Sequence, residues 1–473
     1  MPGEPPVIRI YNTLTRSKET FEPLHDRQVS MFVCGITPQD QTHLGHAKTY
    51  ITFDMVARYL RARGYTVFYL QNVTDIEDRI IDKMRETGRD WKDIVRQYYG
   101  EYQEGMRALN CTSVDVYAYA TDHIPQIVEQ IRGLVDKGFA YATETGVYFD
   151  TTRFSDWGKL SGQKIEELRP GARVAVDETK RHPADFALWK AQKPGEPAWD
   201  SPWGKGRPGW HIEDTAITIS RFGPQYDLHG GATELMFPHH EAEVAQAEAY
   251  TGVTPFVRYW MHGGMLMIKG EEMHKSLGNY WAVKDAVARW DPMVLRFFFL
   301  NAHYRSPIDF SPEAVEEAGR SYERLLEATR NLEAALRSPP DNGRGDAALE
   351  AATARVRSAF DRAMSDDFNT REAIAAIFEY ARELNRGIQA GAGRRALEDA
   401  KAAFDGFAQV LGLFGGRGGG AGIDAKQLDA MIARREDARK RKDFATADGI
   451  RKQLADLGIV LEDTRDGVRW KRR

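Results

Sequence analysis

The sequence predicts an α/β protein in which a parallel-sheet domain is followed by an α-helical bundle and a small C-terminal α+β module. Three observations carry that expectation. Residues 29–75 alternate strand, helix and strand; residues 311–413 keep a helical pattern with few breakers; and the Gly-rich run 415–422 precedes a basic terminus with 14 Lys/Arg against 9 Asp/Glu over 425–473. At 473 residues the chain exceeds one ordinary core, and roughly 100–200 residues per domain suggests about three domains.

The first strand is the apolar, β-rich run Val29-Ser30-Met31-Phe32-Val33-Cys34. The turn His43-Leu44-Gly45-His46 follows it, and Phe53, Val56 and Leu60 then fall at helical spacing up to a stop near Gly64. Thr66-Val67-Phe68-Tyr69-Leu70 is the second strand. A βαβ unit of this kind implies a right-handed crossover, and ligands bind at the carboxyl ends of its strands, where the His43 turn and Asn72-Val73-Thr74-Asp75 emerge. Two histidines at a helix start add donors where backbone N–H groups and the helix dipole already favour an anion, so the turn reads as a phosphate site.

Residues 76–140 read as mainly helical, with Ile124, Ile127, Ile131 and Val135 periodic up to Gly138, and 141–150 return to a strand pattern. Pro, Gly, charged residues and three tryptophans (Trp189, Trp199, Trp203) fill 151–209, which suggests an insertion over roughly 130–205. Next come Gly209-Trp210-His211-Ile212-Glu213-Asp214, the strand-to-turn pattern Asp227-Leu228-His229-Gly230-Gly231, and Phe237-Pro238-His239-His240-Glu241-Ala242-Glu243. His239 and Glu243, four apart on one helical face, form a usual pair of metal ligands, and Cys34 with Asp214 would complete a set of one thiolate, one imidazole and two carboxylates.

The Gly-flanked loop 270–280 carries Lys275 beside Ser276 and Asn279, suited to bringing a cation onto a polyphosphate. The domain boundaries expected are therefore 8–310 for the sheet domain, 311–413 for the bundle, 414–424 for a flexible Gly-rich linker, and 425–473 for the basic module. Within that module a helical stretch precedes Ile459-Val460-Leu461 and Val468-Arg469-Trp470, which can pair as a hairpin.

Composition narrows the function classes. Mean hydropathy is −0.52, no apolar run reaches the ~18 residues of a membrane helix, and Met1-Pro2-Gly3-Glu4 lacks the parts of a secretory signal, so the expected setting is the cytoplasm with no membrane partner. Cys34 and Cys111 are the only cysteines, which excludes a disulfide framework. A basic module on an otherwise acidic chain suits a nucleic-acid partner.

Taken together, these blocks resemble the cysteinyl-tRNA synthetase family of class I aminoacyl-tRNA synthetases, from about Ile8 to the C-terminus. His43-Leu44-Gly45-His46 is similar to the family's first nucleotide signature and Glu272-Met273-His274-Lys275-Ser276 to its second; Cys34-Gly35, Asn72–Asp75, Gly209–Glu213, His229–Gly231 and Phe237–Glu241 match further blocks in order. The resemblance implies a Rossmann-type catalytic domain and a monomer that joins cysteine to ATP as cysteinyl-adenylate, then transfers it to the 3′ end of tRNA(Cys). It also implies catalytic roles for His43, His46 and Lys275, ATP contacts from those residues with Gly45, His229 and Gly230, and Mg²⁺ accompanying the ATP. Cys34, Thr74 and Trp210 would border the substrate.

Zinc held by Cys34, Asp214, His239 and Glu243 would distinguish the substrate's sulfur from the hydroxyl of serine. The resemblance further implies that the bundle contacts the tRNA stem and that Arg439, Phe444, Asp448 and Asp463 read the anticodon, an aromatic face stacking on an unpaired base. The chain departs from the family at Asp214, where a second cysteine is usual, and at Glu272 and His274 in the second signature. Two other readings fit part of the pattern: an ATP-dependent ligase joining cysteine to an aminosugar, and a non-catalytic tRNA-binding paralogue.

Overall fold

A computed structural model describes residues 6–164, 179–273, 279–339, 343–414, 423–456, 459–464 and 467–472, with the side chains of Glu272, of 423–426, of Asp456 and of everything beyond Leu461 left aside. Its centre is a parallel sheet of β1 (Gln28–Ile36), β2 (Thr66–Val73), β3 (Val116–Tyr119), β4 (Tyr226–Ala232) and β5 (Val257–Gly263), in the order β5-β4-β1-β2-β3. The expected βαβ unit is there: β1 pairs in parallel with β2 from Gln28↔Thr66 to Val33↔Gln71, and α1 (Leu44–Ala62) crosses between them and stops before Gly64 at φ +83°. Met31, Val33, Val67 and Tyr69 face α1, while Phe32, Cys34 and Leu70 alternate to the other face.

The register between β1 and β2 shifts between Val33 and Ile36, so Cys34 and Gly35 form an irregularity at the carboxyl end of β1. Only glycine fits at 35, because a Cβ there would stand 1.8 Å from the Asn72 carbonyl oxygen. Bulges of this kind re-aim a side chain at a sheet end, and here the side chain is the Cys34 thiol.

Within the expected insertion, strands Ala140–Ala142, Gly146–Phe149, Phe186–Ala191 and Gly206–Pro208 form a separate antiparallel sheet. It delivers the chain to α2 (Trp210–Phe222), and β4 then leads to α3 (Glu241–Thr251). The bundle consists of helices Pro312–Arg337, Asp346–Ser365, Thr370–Gln389 and Arg394–Leu411. Val315, Ala318, Tyr322, Leu325, Ala328 and Leu332 are buried at three- and four-residue steps, the stripe that periodicity predicts.

Two features differ from the sequence expectation. The stretch 76–140 contains β3 as well as helices. At the end of the expected linker 414–424, Ile423–Asp424 pairs in parallel with Val116–Tyr117 and adds an edge strand to the main sheet. The C-terminal module, helices Ala425–Lys440 and Phe444–Asp456 with the hairpin Ile459–Thr464/Gly467–Arg472, packs on this side: Leu428, Ile450, Leu454, Ile459 and Leu461 share one core with Leu70, Val116 and Ala118. Arg221 on α2 grips Asp429 through both carboxylate oxygens at 2.9 and 2.7 Å. The physical reason is coverage: α1 shields one sheet face, and the β2–β3 corner of the other face needs an apolar cover. No helix among the described residues is long and apolar enough to cross a membrane.

Candidate active site and metal centre

At the carboxyl end of β1 the chain turns into α1 through His43, the N-cap residue. His43 Nδ1 accepts from the Gly45 N–H at 3.1 Å, and His46 Nδ1 accepts from the His43 N–H at 3.3 Å, a reciprocal capping box made by the two histidines. The rings lie 3.8 Å apart. The sequence suggests an anion site in which backbone N–H groups and the two imidazoles both donate; in the structure the rings occupy two of those backbone donors, and the Leu44 N–H goes to the Trp281 carbonyl. With both Nδ1 atoms accepting, each neutral ring carries its proton on Nε2, so the imidazoles relay the donor function outward. Burial, reinforced by His43, holds His46 well below the usual imidazole range, so it is neutral at pH 7.

The second loop is stitched to this turn. Residues 274–278, Lys275 among them, lie outside the described residues, but the flanks are placed: the Met273 sulfur accepts from the Trp281 N–H at 3.4 Å, Ala282 bridges to His43, and the Val283 N–H donates to the Thr42 carbonyl at 2.7 Å. Tyr280 donates its hydroxyl to the Gln41 carbonyl. The stem of the Lys275 loop therefore meets the residues that lead into α1.

The four side chains predicted as metal ligands come together in the interior. The Cys34 Sγ stands 3.5 Å from His239 Nε2, and the same nitrogen lies 3.1 Å from Asp214 Oδ2 and 3.1 Å from Glu243 Oε1. Asp214, His239 and Glu243 are all at or below 1% exposure. Bonds of about 2.3 Å to sulfur and 2.0–2.2 Å to nitrogen or oxygen, at tetrahedral angles, would separate such donors by roughly 3.4–3.6 Å, close to the Cys34–His239 separation; Asp214, His239 and Glu243 form one group of ligand atoms and Cys34, His239 and His240 a second, joined at His239. Neither Glu243 oxygen accepts a hydrogen bond. Burial, and then Asp214, push the Glu243 carboxyl well up; burial, with Asp214 and Glu243 after it, does the same to the Cys34 thiol. Three acidic groups crowded around one imidazole fit a divalent cation, whose charge reverses that repulsion.

Asp214 sits on α2 one turn after Trp210, and the Trp210 ring stacks on His239 at 4.2 Å and 18°. Thr74 is buried beside them, its hydroxyl accepting from Asn72 Nδ2 at 3.3 Å. Cys34, Thr74 and Trp210 are thus brought to one place. His229 and Gly230 are not brought to one place. The His229 ring lies on the β4 face away from α1, stacked on Trp260 at 4.2 Å, with Nδ1 accepting from Tyr226 and 3.6 Å from Glu243, whereas Gly230 faces Phe53 on α1. Strand alternation sends neighbours to opposite faces, so the His229 ring and Gly230 meet different sides of the sheet.

Several contributors escape the sequence reading. Asn72 takes the Gly35 N–H on Oδ1 and gives Nδ2 to Asp214 Oδ1 at 2.5 Å, tying the Cys34 irregularity to α2. His211 Nδ1 lies 2.8 Å from His239 Nδ1 and fixes the ring from behind, as partners of ligating histidines do. His240 and His262 continue the cluster at 2.8 Å. Each lies within a block visible in the sequence, but only the fold shows which neighbour it serves.

In the C-terminal module Phe444 is 63% exposed, and Arg439 and Asp448 are exposed with it; the Asp463 side chain lies outside the described residues.

Family models match three stretches of the chain. A family model described as tRNA synthetases class I (C) catalytic domain matches residues 20–320, a DALR domain matches 359–415, and a cysteinyl-tRNA ligase anticodon binding domain matches 425–470. A cysteine–tRNA ligase of Pelotomaculum thermopropionicum is 46% identical over 98% of this chain and 100% of its own length; one of Thermococcus onnurineus is 45% identical over 98% and 99%. Among solved structures, Mycobacterium tuberculosis methionyl-tRNA synthetase with methionyl-adenylate superposes at TM-score 0.63, with 17% identity over 81% of this chain and 92% of that one, a likeness of fold.

Proposed function

The chain belongs to the cysteine–tRNA ligase family, and from that premise we propose that it selects cysteine with a metal held by Cys34, Asp214, His239 and Glu243 and activates it at the His43–His46 turn. The reaction is ATP-dependent formation of cysteinyl-adenylate followed by transfer to tRNA(Cys). Relatives spanning the whole chain, with an anticodon-binding domain at 425–470, favour tRNA over an aminosugar as the acceptor.

The observation that carries the site assignment is the meeting of Cys34, Asp214 and Glu243 on His239 Nε2, roofed by Trp210. A zinc ion bound there supplies a soft Lewis acid that prefers a thiolate to a hydroxyl. The chain's own groups do the rest. Thr74 and Trp210 border the amino acid, and the Nε2–H donors of His43 and His46 meet the phosphates as the carboxylate attacks the α-phosphorus in line. Lys275 adds the cation, and ATP arrives with Mg²⁺. Cysteine-dependent ATP–pyrophosphate exchange tests this. Exchange with cysteine and little with serine is expected; exchange with neither would favour a non-catalytic paralogue.

Anticodon reading by Arg439, Phe444, Asp448 and Asp463 is supported by the exposure of the Phe444 ring, which a core role would bury. Stacking on one base is worth about 1–3 kcal/mol. Phe444→Ala is therefore expected to lower kcat/KM for tRNA charging about 10-fold or more, with exchange unchanged; unaltered charging would remove Phe444 from recognition. A point variant is the better test, because deleting 425–473 would uncover Leu70, Val116 and Ala118. We read the chain as a monomer acting in the cytoplasm, a setting that tRNA, ATP and cysteine as substrates favour.

A further inference from the structure

The donors around His239 Nε2 are unusual in kind. Cys34 is the only sulfur; the chain's other cysteine, Cys111, lies against Arg296 and the Leu109 carbonyl. Asp214 is held to one mode of binding, since Asn72 Nδ2 occupies its Oδ1 at 2.5 Å and leaves Oδ2 aimed at the shared point, 3.1 Å from His239 Nε2. Glu243 offers two oxygens without hydrogen bonds. A further donor stands by: His240 is fully buried, its Nε2 has no hydrogen-bond partner, and it groups with Cys34 and His239 within 4.8 Å. When His240 Nδ1 donates to His262, that Nε2 presents a lone pair.

We propose that Asp214 makes this an oxygen-rich divalent-metal site, with one sulfur, one nitrogen and two carboxylate donors and room for a fifth, that accepts Mn²⁺ and Fe²⁺ alongside Zn²⁺. Sulfur donors bias a site toward zinc, whereas carboxylate oxygens suit harder ions. Those ions also favour more than four ligands, which Glu243 through its second oxygen and His240 through Nε2 can supply. Zinc remains the tightest of the three by the general order of divalent affinities, but its margin over manganese shrinks. The proposal rests on the reading of these four residues as a metal site.

The test is metal competition on the full-length chain, stripped with a chelator and offered equimolar Zn²⁺ and Mn²⁺, with bound metal read by elemental analysis and Mn²⁺ by electron paramagnetic resonance. The native chain is expected to show a zinc-to-manganese affinity ratio about 10-fold or more below that of Asp214→Cys. With Co²⁺, the sulfur-to-metal absorption of the native chain should be about half that of the variant, in proportion to the thiolate count. Equal ratios and equal bands would overturn the proposal and leave the metal site standing. Failure of the native chain to bind any of these ions would overturn the metal site as well. Should Asp214→Cys not fold, the native chain decides alone: Mn²⁺ bound at micromolar concentration supports the proposal, and no Mn²⁺ bound at millimolar concentration ends it.

Discussion

Replacing His46 with alanine lowers kcat for cysteine-dependent ATP–pyrophosphate exchange by about 10²–10³, and His46→Gln recovers much of the loss. The expectation follows from the protonation state that the fold imposes. His46 Nδ1 is committed to the His43 N–H, so its proton sits on Nε2. Burial, and then the His43 ring whose centre lies 3.8 Å away, hold the ring well below its ordinary value. His46 therefore acts as a neutral donor rather than a cation, and a glutamine amide can place an N–H near the same position. For an imidazole whose folded pKa is depressed, the proton is already off well below pH 6.5, so the exchange rate should show no step from His46 between about pH 6 and 8. A step near 6.5 that disappears in His46→Gln would refute this. The alanine variant also loses a capping hydrogen bond, worth about 1 kcal/mol, and a melting curve separates that cost from the catalytic one.

The turn that carries His46 was legible because its signals are local: an apolar run, a glycine and two histidines three apart, then helical spacing in Phe53, Val56 and Leu60. The bundle was legible for the same reason. The strand Val116–Tyr119 was not, because four residues between helical stretches carry too little periodicity to outweigh their neighbours. The docking of the C-terminal module escaped notice too. The glycines of 415–422 set the composition of the expected linker, but pairing at Ile423–Asp424 is decided by the free edge of a strand some 300 residues earlier. The site divides likewise. His239 and Glu243 announce themselves by spacing, whereas the assignment of one Asp214 oxygen to Asn72 and the other to the ligand cluster is a consequence of helix α2 meeting the end of β2.

Replacing Arg296 with methionine destabilises the protein by about 3–5 kcal/mol, the usual cost of removing one partner from a buried ion pair. Arg296 is fully buried in the helix Pro292–Leu300 and makes five hydrogen bonds that join separate parts of the chain, the longest to the Cys111 sulfur at 3.7 Å. Its Nη2 reaches Asp54 on α1 at 2.5 Å, its Nη1 the Leu109 and Asn110 carbonyls at 3.0 Å, and its Nε the Leu411 carbonyl at 2.7 Å, at the end of the bundle. Methionine fills much of the volume but leaves three carbonyls and a carboxylate short of donors. Asp54 keeps Arg58 and the Thr112 and Ser113 N–H groups, so the cost falls toward the lower end of the range. Burial raises the Asp54 pKa, but Arg58 and Arg296 overcome it and hold the carboxyl well below its unfolded value of 3.8. A depressed carboxylate contributes stability above its unfolded pKa and loses it as pH falls toward the folded one, so the gap between native and variant should be full at pH 7 and narrow below about pH 4. Denaturant midpoints at pH 7 and at about pH 2 measure both, and a gap that does not depend on pH would assign the cost to packing. Pairing Arg296→Met with Asp54→Asn should cost less than the two changes summed, since the double variant removes both members of the Arg296–Asp54 pair and Arg58 keeps its bonds to Asn110 and Thr112. The network ties α1, the helix that begins at the His43–His46 turn, to the last turn of the bundle, and adds a polar anchor to the apolar core that the two already share.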